Sequence, residues 1–153
     1  MAISDSDISA ITNILKQLDL FKDLNEKDHA EIIKRITLEY YPKNHILFHE
    51  GDAGGNFYII KRGMVRIYHE TDGKPTDQDT ATLGNGDFFG EMALIGDKPR
   101  NNSAQTIEES EIFVLKKDDF INLVSSDPNM ASRISNEFIK RIKINNRREE
   151  ASR

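Results

Sequence analysis

The chain switches twice between two hydrophobic periods, and the switches divide it into three parts. Ile8, Ile11, Ile14, Leu15 and Leu18 recur at helical spacing behind Ser4, Asp5, Ser6 and Asp7, all of them cap-forming residues. Asn25 to Ile36 predicts a second helix. Asn25 is its cap, Asp28 stands at the third helical position as in a capping box, and Ile32, Ile33 and Ile36 face inward. From Thr37 the pattern changes to short runs. Thr37 to Tyr41, His45 to Phe48, Asn56 to Lys61, Met64 to Tyr68, Thr80 to Leu83, Ser103 to Ile107 and Glu111 to Leu115 read as strands. Pro42, Gly51-Asp52, Gly63 and the hairpin signal Asp72-Gly73 separate them. From Lys117 the helical period returns. A short helix runs from Asp118 through Val124, and Ser126-Asp127-Pro128 interrupts it. Met130, Ile134, Phe138 and Ile142 then recur every four residues as one apolar stripe.

The expected fold class is α+β: an antiparallel β-roll, jelly-roll-like in the manner of a double-stranded β-helix, flanked by N-terminal and C-terminal helices. One domain is expected over residues 1–153, with helices across 4–36, the roll across 37–116 and C-terminal helices across 117–147. No linker, repeat or low-complexity segment breaks this order.

Composition narrows the function classes. With 37% hydrophobic and 31% charged residues, the chain has the make-up of a folded domain rather than a disordered one. No apolar run approaches a membrane span and no secretory leader is visible, so the expected location is the cytoplasm, away from membranes. The absence of cysteine excludes disulfides, thiolate metal sites and cysteine nucleophiles. The net charge of −5 argues against a phosphate-gripping DNA surface. The basic residues Lys140, Arg141, Lys143, Arg147 and Arg148 read as a solvated helix face, since Glu149 and Glu150 follow at once, with a nucleic-acid or partner contact as the lesser alternative.

The chemistry concentrates between Leu83 and Thr106. Gly84 and Gly86 permit a tight turn between strands. Gly90-Glu91-Met92-Ala93-Leu94 then places small residues where a helix could begin, and successive N–H groups at such a start form an anion site. Gly90 and Ala93 lack the bulk to keep a phosphate away from the backbone. Arg100 follows Glu91 by nine residues, across Pro99, and its guanidinium fork matches phosphate oxygens. Glu91, acceptor-only when ionised, suits ribose hydroxyls. A carboxylate and a guanidinium at this separation could also pair simply with each other.

Phe89-Gly90-Glu91-Met92-Ala93-Leu94 followed by Pro99-Arg100 resembles the phosphate-binding cassette of the cyclic-nucleotide-binding family. That family includes kinase regulatory subunits, gated channels and bacterial catabolite activators. Gly51-Asp52 and Phe57-Tyr58-Ile59-Ile60, with Gly63 and Val65, resemble its early strands, so that the likeness covers residues 15–145. The resemblance implies that Glu91 holds the ribose 2′-hydroxyl and that Arg100 neutralises the cyclic phosphate. It implies further hydrogen bonds from the N–H groups near Met92 and Ala93 and at Asn101 and Asn102, and a pocket wall of Ile67, Ala81 and Phe89. Family members commonly carry alanine, serine or threonine after the arginine, then alanine; alanine resembles adenine-selective members and threonine guanine-selective ones. Asn101 and Asn102 match neither. The expected ligand is cyclic AMP, the commoner one, with cyclic GMP as the other choice.

The expected function is a regulatory sensor, not an enzyme, in which nucleotide favours a state capped by the last helix. Phe138, Arg141 and Ile142 are the lid candidates, and core or dimer packing is the plainer role for each. The stripe on this helix fits a homodimer; the downstream protein is unknown. The alternative is a fold that has lost its ligand and serves as an interaction or dimerisation domain, with Asn101 and Asn102 in its support. A metal-dependent enzyme on a similar roll would cluster histidines, yet His29, His45, His49 and His69 contain no His-x-His, and surface or structural roles are expected for them. Only the residues from Asn145 remain after the last helix, too few for a helix-turn-helix, so direct DNA binding is not expected.

Overall fold

The computed structural model describes residues 3–96 and 98–134. Two helices come first, α1 (Asp5–Gln17) and α2 (Glu26–Ile33). Eight strands follow: β1 (Thr37–Tyr41), β2 (Ile46–Phe48), β3 (Phe57–Arg62), β4 (Val65–Thr71), β5 (Lys74–Leu83), β6 (Phe88–Phe89), β7 (Ser103–Thr106) and β8 (Ser110–Leu115). A 3₁₀ turn, Glu91–Leu94, lies between β6 and β7, and α3 (Lys117–Ser126) follows β8. Helical backbone resumes over 128–134. This is the expected α+β class, a β-roll with helices on either side in sequence. No helix among the described residues is long and apolar enough to cross a membrane.

Both N-terminal helices begin with a complete capping box. Ser4 Oγ accepts from the Asp7 amide at 3.1 Å, and Asp7 returns the bond to the Ser4 amide. Asn25 and Asp28 repeat the arrangement on α2 at 2.8 and 3.2 Å. Each capping aspartate also accepts from a cation elsewhere in the chain. Lys61 of β3 lies 3.2 Å from Asp7, and Arg133 pairs with Asp28. The α1 stripe is narrower than the spacing predicts: Ile11 and Leu15 are buried, but Ile8 is 40% exposed. The second helix stops at Ile33 instead of Ile36, because Arg35 and Ile36 close tight turns onto Ile32 and Ile33 before β1 begins. Ile36 remains buried, as expected.

The strands form two four-stranded sheets, ordered β1-β8-β3-β6 and β2-β7-β4-β5, with antiparallel pairing at every described neighbour. The Asp72-Gly73 signal is a two-residue hairpin loop, with φ of 53° and 76° and Thr71 facing Lys74. It joins β4 to a β5 that starts well before the expected Thr80.

β3 and β8 are apolar on both faces for one reason. Phe57, Ile59, Phe113 and Leu115 point into a core shared with the helices. Tyr58, Ile60, Ile112 and Val114 point between the sheets. A strand covered on both sides reads as a continuous apolar run rather than an alternation. Phe21, in the turn after α1, meets Phe57 at 6.3 Å and Phe120 of α3 edge-on at 5.8 Å, so it joins all three parts of the chain. Met130 and Ile134 of the last stripe are buried in this helix-side core. Phe138 and Ile142, with Arg141 and the basic cluster, lie outside the described residues, as does any dimer contact through them.

Gly63 turns β3 into β4 with φ of 131°, and an added Cβ would fall 2.1 Å from Ser110 Oγ. Gly63→Ala is expected to cost about 2–3 kcal/mol in urea unfolding, from combined strain and clash. Gly73→Ala, at a positive φ but in open space, should cost about 1 kcal/mol.

Candidate functional site

The cassette starts where β6 leaves the first sheet. Phe89 pairs with Tyr58 in register, and their rings stack at 4.9 Å with 15° between planes. Phe48, at the end of β2, lies 6.0 Å from Tyr58 and 6.1 Å from Phe89. Three strands thus contribute one ring each to an aromatic bed. Burial raises the Tyr58 phenol, which stays neutral across the working pH range.

Gly90 follows with φ of 84°, a conformation that favours glycine. The turn Glu91–Leu94 is one turn of 3₁₀ helix, not the start of an α-helix, and the Ala93 amide donates to the Gly90 carbonyl at 3.1 Å. Leu94 is buried in the helix-side core and pins the turn from below. Gly54 lacks a side chain for a packing reason: a Cβ there would meet the Lys98 carbonyl at 3.0 Å and the Ala93 Cβ at 3.3 Å, so these backbones run close together. Glu91 is half-buried, with Oε2 out of contact with solvent.

Arg100 is held through its backbone and its side chain. Its carbonyl accepts from the Gly51 amide at 2.9 Å, and its amide donates to the Asp52 carbonyl at 2.8 Å. Nη2 donates to the Asn56 carbonyl at 2.8 Å, and the guanidinium lies 4.0 Å over the Phe48 ring. Burial is the largest influence on this group and draws its pKa down, while Asp52 works the other way. A guanidinium so placed remains charged. A Cβ on Gly90 would sit 2.7 Å from Nη1 and 2.8 Å from the Asn56 carbonyl. Gly90 therefore lets the arginine side chain lie against the start of the Glu91 turn. Arg100 thereby lies against Gly90, the residue that precedes Glu91.

The remaining expected site residues lie on β4, on β5, in the Glu91 turn and just after Arg100. Ile67 of β4 pairs with Ala81 on one side and with Ala104 on the other. Ile67, like Phe48 and Phe89, packs against the buried cluster between the sheets. Asn101 is exposed; Asn102 is half-buried with its Oδ1 3.4 Å from Thr80 Oγ1. Met92 lies within the 3₁₀ turn. Sequence reasoning did not single out Phe48, Asn56 or Tyr58 as site residues. The first and last are hidden within ordinary apolar runs, and Asn56 acts through a carbonyl that every residue has.

The histidines do not converge. His29 is buried with Nε2 2.8 Å from the Phe21 carbonyl, His45 packs on Tyr41, and His49 and His69 pair with Glu70 and Glu50. Among the described residues no group of three or more histidine, aspartate or glutamate side chains is placed to hold a metal.

Gly90→Ala is expected to lower stability by about 2–3 kcal/mol, because the new methyl meets both the guanidinium and its acceptor at a positive φ. Urea midpoints at constant slope measure it.

Comparison with known proteins agrees with this architecture. Residues 38–127 match the model of the cyclic nucleotide-binding domain. The chain is 38% identical over 104 residues to human (Homo sapiens) cGMP-dependent protein kinase 2, covering 67% of this chain and 13% of the kinase. It is 27% identical over 129 residues to the cyclic AMP receptor protein of Thermus thermophilus, covering 84% of this chain and 59% of that protein. A solved structure of the regulatory domain of Toxoplasma gondii PKA with cAMP superposes with a TM-score of 0.66 at 28% identity, covering 78% of this chain and 45% of that one. The chain thus spans less than two thirds of each of these relatives. Its match extends over more than half of its own length, and the chain belongs to the cyclic nucleotide-binding domain family.

Proposed function

We propose that this domain binds a cyclic nucleotide, cyclic AMP ahead of cyclic GMP, as a regulatory module. The observation that carries the reading is the contact of the Arg100 guanidinium with Gly90, which sets a fixed cation beside the Glu91 turn. In this reading Arg100 neutralises the cyclic phosphate, and Glu91 accepts from the ribose 2′-hydroxyl. Met92 and Asn101 contribute main-chain donors around the phosphate. The Ala93 amide, already bonded to Gly90, shapes the turn instead. Phe89, Ile67 and Ala81 form the apolar wall, and Asn102 faces the ligand from beside Thr80. This division, a few polar groups for the sugar-phosphate and apolar walls for the rest, is the usual economy of a small-molecule pocket.

The relatives are mixed in nucleotide, one a cGMP-dependent kinase and another a PKA regulatory domain solved with cAMP. Cyclic AMP is placed first only as the commoner ligand, since Asn101, after Arg100, matches neither the adenine-selective alanine nor the guanine-selective threonine. The regulatory step is differential affinity. Nucleotide binds better to the state in which the segment after Ile134 covers the pocket, and so raises its population.

Calorimetry with cyclic AMP and cyclic GMP tests both parts. Saturable binding of cyclic AMP is expected, with cyclic GMP weaker. Arg100→Ala should weaken binding on the order of tenfold to a hundredfold, the usual worth of a charge-assisted bond to phosphate. Equal affinity of Arg100→Ala and wild type would refute the site. Absence of heat and of any thermal shift with either nucleotide would favour an interaction domain on the same fold.

A further inference from the structure

The turn that brackets Arg100 is itself tied to β4 through a titratable pair. His49 and Asp52 close the turn on each other: the His49 amide donates to Asp52 Oδ2 at 2.9 Å, and the Asp52 amide donates to the His49 carbonyl at 3.0 Å. Gly51, between them, and Asp52 make the two backbone bonds to Arg100. The other face of the turn meets Glu70 and Ser103. His49 Nδ1 lies 2.7 Å from Glu70 Oε1, and the same oxygen accepts from Ser103 Oγ at 2.9 Å. Ser103 Oγ in turn accepts from the Glu50 amide at 2.7 Å. Ser103 is fully buried and the Glu70 side chain is 11% exposed, whereas the His49 side chain is 50% exposed. Proton exchange with solvent therefore reaches the chain of bonds at its histidine.

We propose that His49 is a positioning residue for Arg100. Paired with Glu70, it holds the 49–52 turn whose backbone brackets the arginine, and it makes the grip on a cyclic phosphate firmer in mild acid than above neutral pH. The consequence for ligand rests on the nucleotide-binding reading above; the hold on the turn does not.

The charges around the imidazole are Glu70 from β4, Asp52 from its own turn, and the neighbouring Glu50–His69 pair. The hydrogen bond to Glu70 holds the His49 pKa above its ordinary value, with burial opposing. The bonds from His49 and Ser103 hold the Glu70 pKa below its own. A raised histidine gives its full stabilisation below its unfolded value and loses it as pH rises through the folded one. At higher pH a neutral Nδ1–H still donates to Glu70, without the charge. The turn is then looser rather than free. Linkage works in both directions: if a firm turn improves phosphate binding, bound nucleotide must raise the His49 pKa further.

The test follows three quantities in the full chain, wild type and His49→Gln. These are the His49 imidazole titration by NMR, the hydrogen-exchange protection of the Gly51 and Arg100 amides corrected for intrinsic rate, and cyclic AMP affinity by calorimetry. Between about pH 6 and about pH 8.5, wild-type protection is expected to fall about two- to fivefold with the midpoint of His49. The dissociation constant should rise by a similar factor, and saturating cyclic AMP should move the His49 midpoint upward. His49→Gln keeps a donor without a titrating charge and should flatten both profiles. Protection in wild type that ignores the His49 midpoint, or an unchanged slope in His49→Gln, would overturn the positioning role. Protection that tracks His49 while neither cyclic AMP nor cyclic GMP gives heat at any pH would support the positioning role and overturn the nucleotide reading instead.

Discussion

A guanidinium withdrawn from water must find groups that replace its hydration, and the placement of Arg100 meets that demand with very few. One carbonyl accepts a hydrogen bond, one aromatic face lies beneath the plane, and one glycine leaves room at the edge. Each comes from a different stretch of chain: Asn56 before β3, Phe48 at the end of β2, Gly90 after β6. The arginine thus depends on the roll being closed. Its demand also explains local sequence that would otherwise look arbitrary. Gly90 is needed for the space and the positive φ, and Phe48 is needed as a ring and not merely as bulk.

The roll can supply this because its first sheet is a shared wall. β3 and β8 give one face to the helices and the other to the second sheet. A strand covered on both sides has little freedom to slip, since a one-residue shift would exchange two apolar sets that differ in shape and partners. Tyr58 is consequently fixed for Phe89 to stack upon, and the aromatic bed inherits its rigidity from the helix-side core. Leu94 extends the same logic to the Glu91 turn, whose last residue enters that core.

Much of this was legible in the sequence, and the reasons differ by element. Ser4–Asp7 and Asn25–Asp28 were readable because a capping box is a local code, satisfied within four residues. Most strand positions and the Asp72-Gly73 hairpin were readable from period and turn chemistry. β6 was not, since two residues carry no period. The end of α2 was misjudged by three residues because Ile36 is buried in a turn, and burial alone does not distinguish a turn from a helix. At the candidate site, Glu91, Gly90 and Arg100 were singled out from residue type together with the resemblance of the ordered cassette. The turn at Glu91 was expected as a helix start and is a single 3₁₀ turn, a difference decided by where Leu94 must go. The bed beneath Arg100 was not legible, because nothing local links Phe48 to Phe89; only the closed roll does.

The two capping aspartates carry a consequence for modularity. The family match runs from residue 38 to 127, yet Asp7, Asp28 and Arg133 all lie beyond those borders, and Lys61, the partner of Asp7, lies inside them. Phe21 also sits outside while its ring partners Phe57 and Phe120 sit within. The stretch matched by the family model is therefore shorter than the unit that folds here. Excised at its recognisable edges, the roll would carry an uncovered aromatic face, and Lys61 would keep only its longer pairing with Glu111. What can be transplanted between proteins as a self-sufficient piece includes the two helices at one margin and the residues through Ile134 at the other.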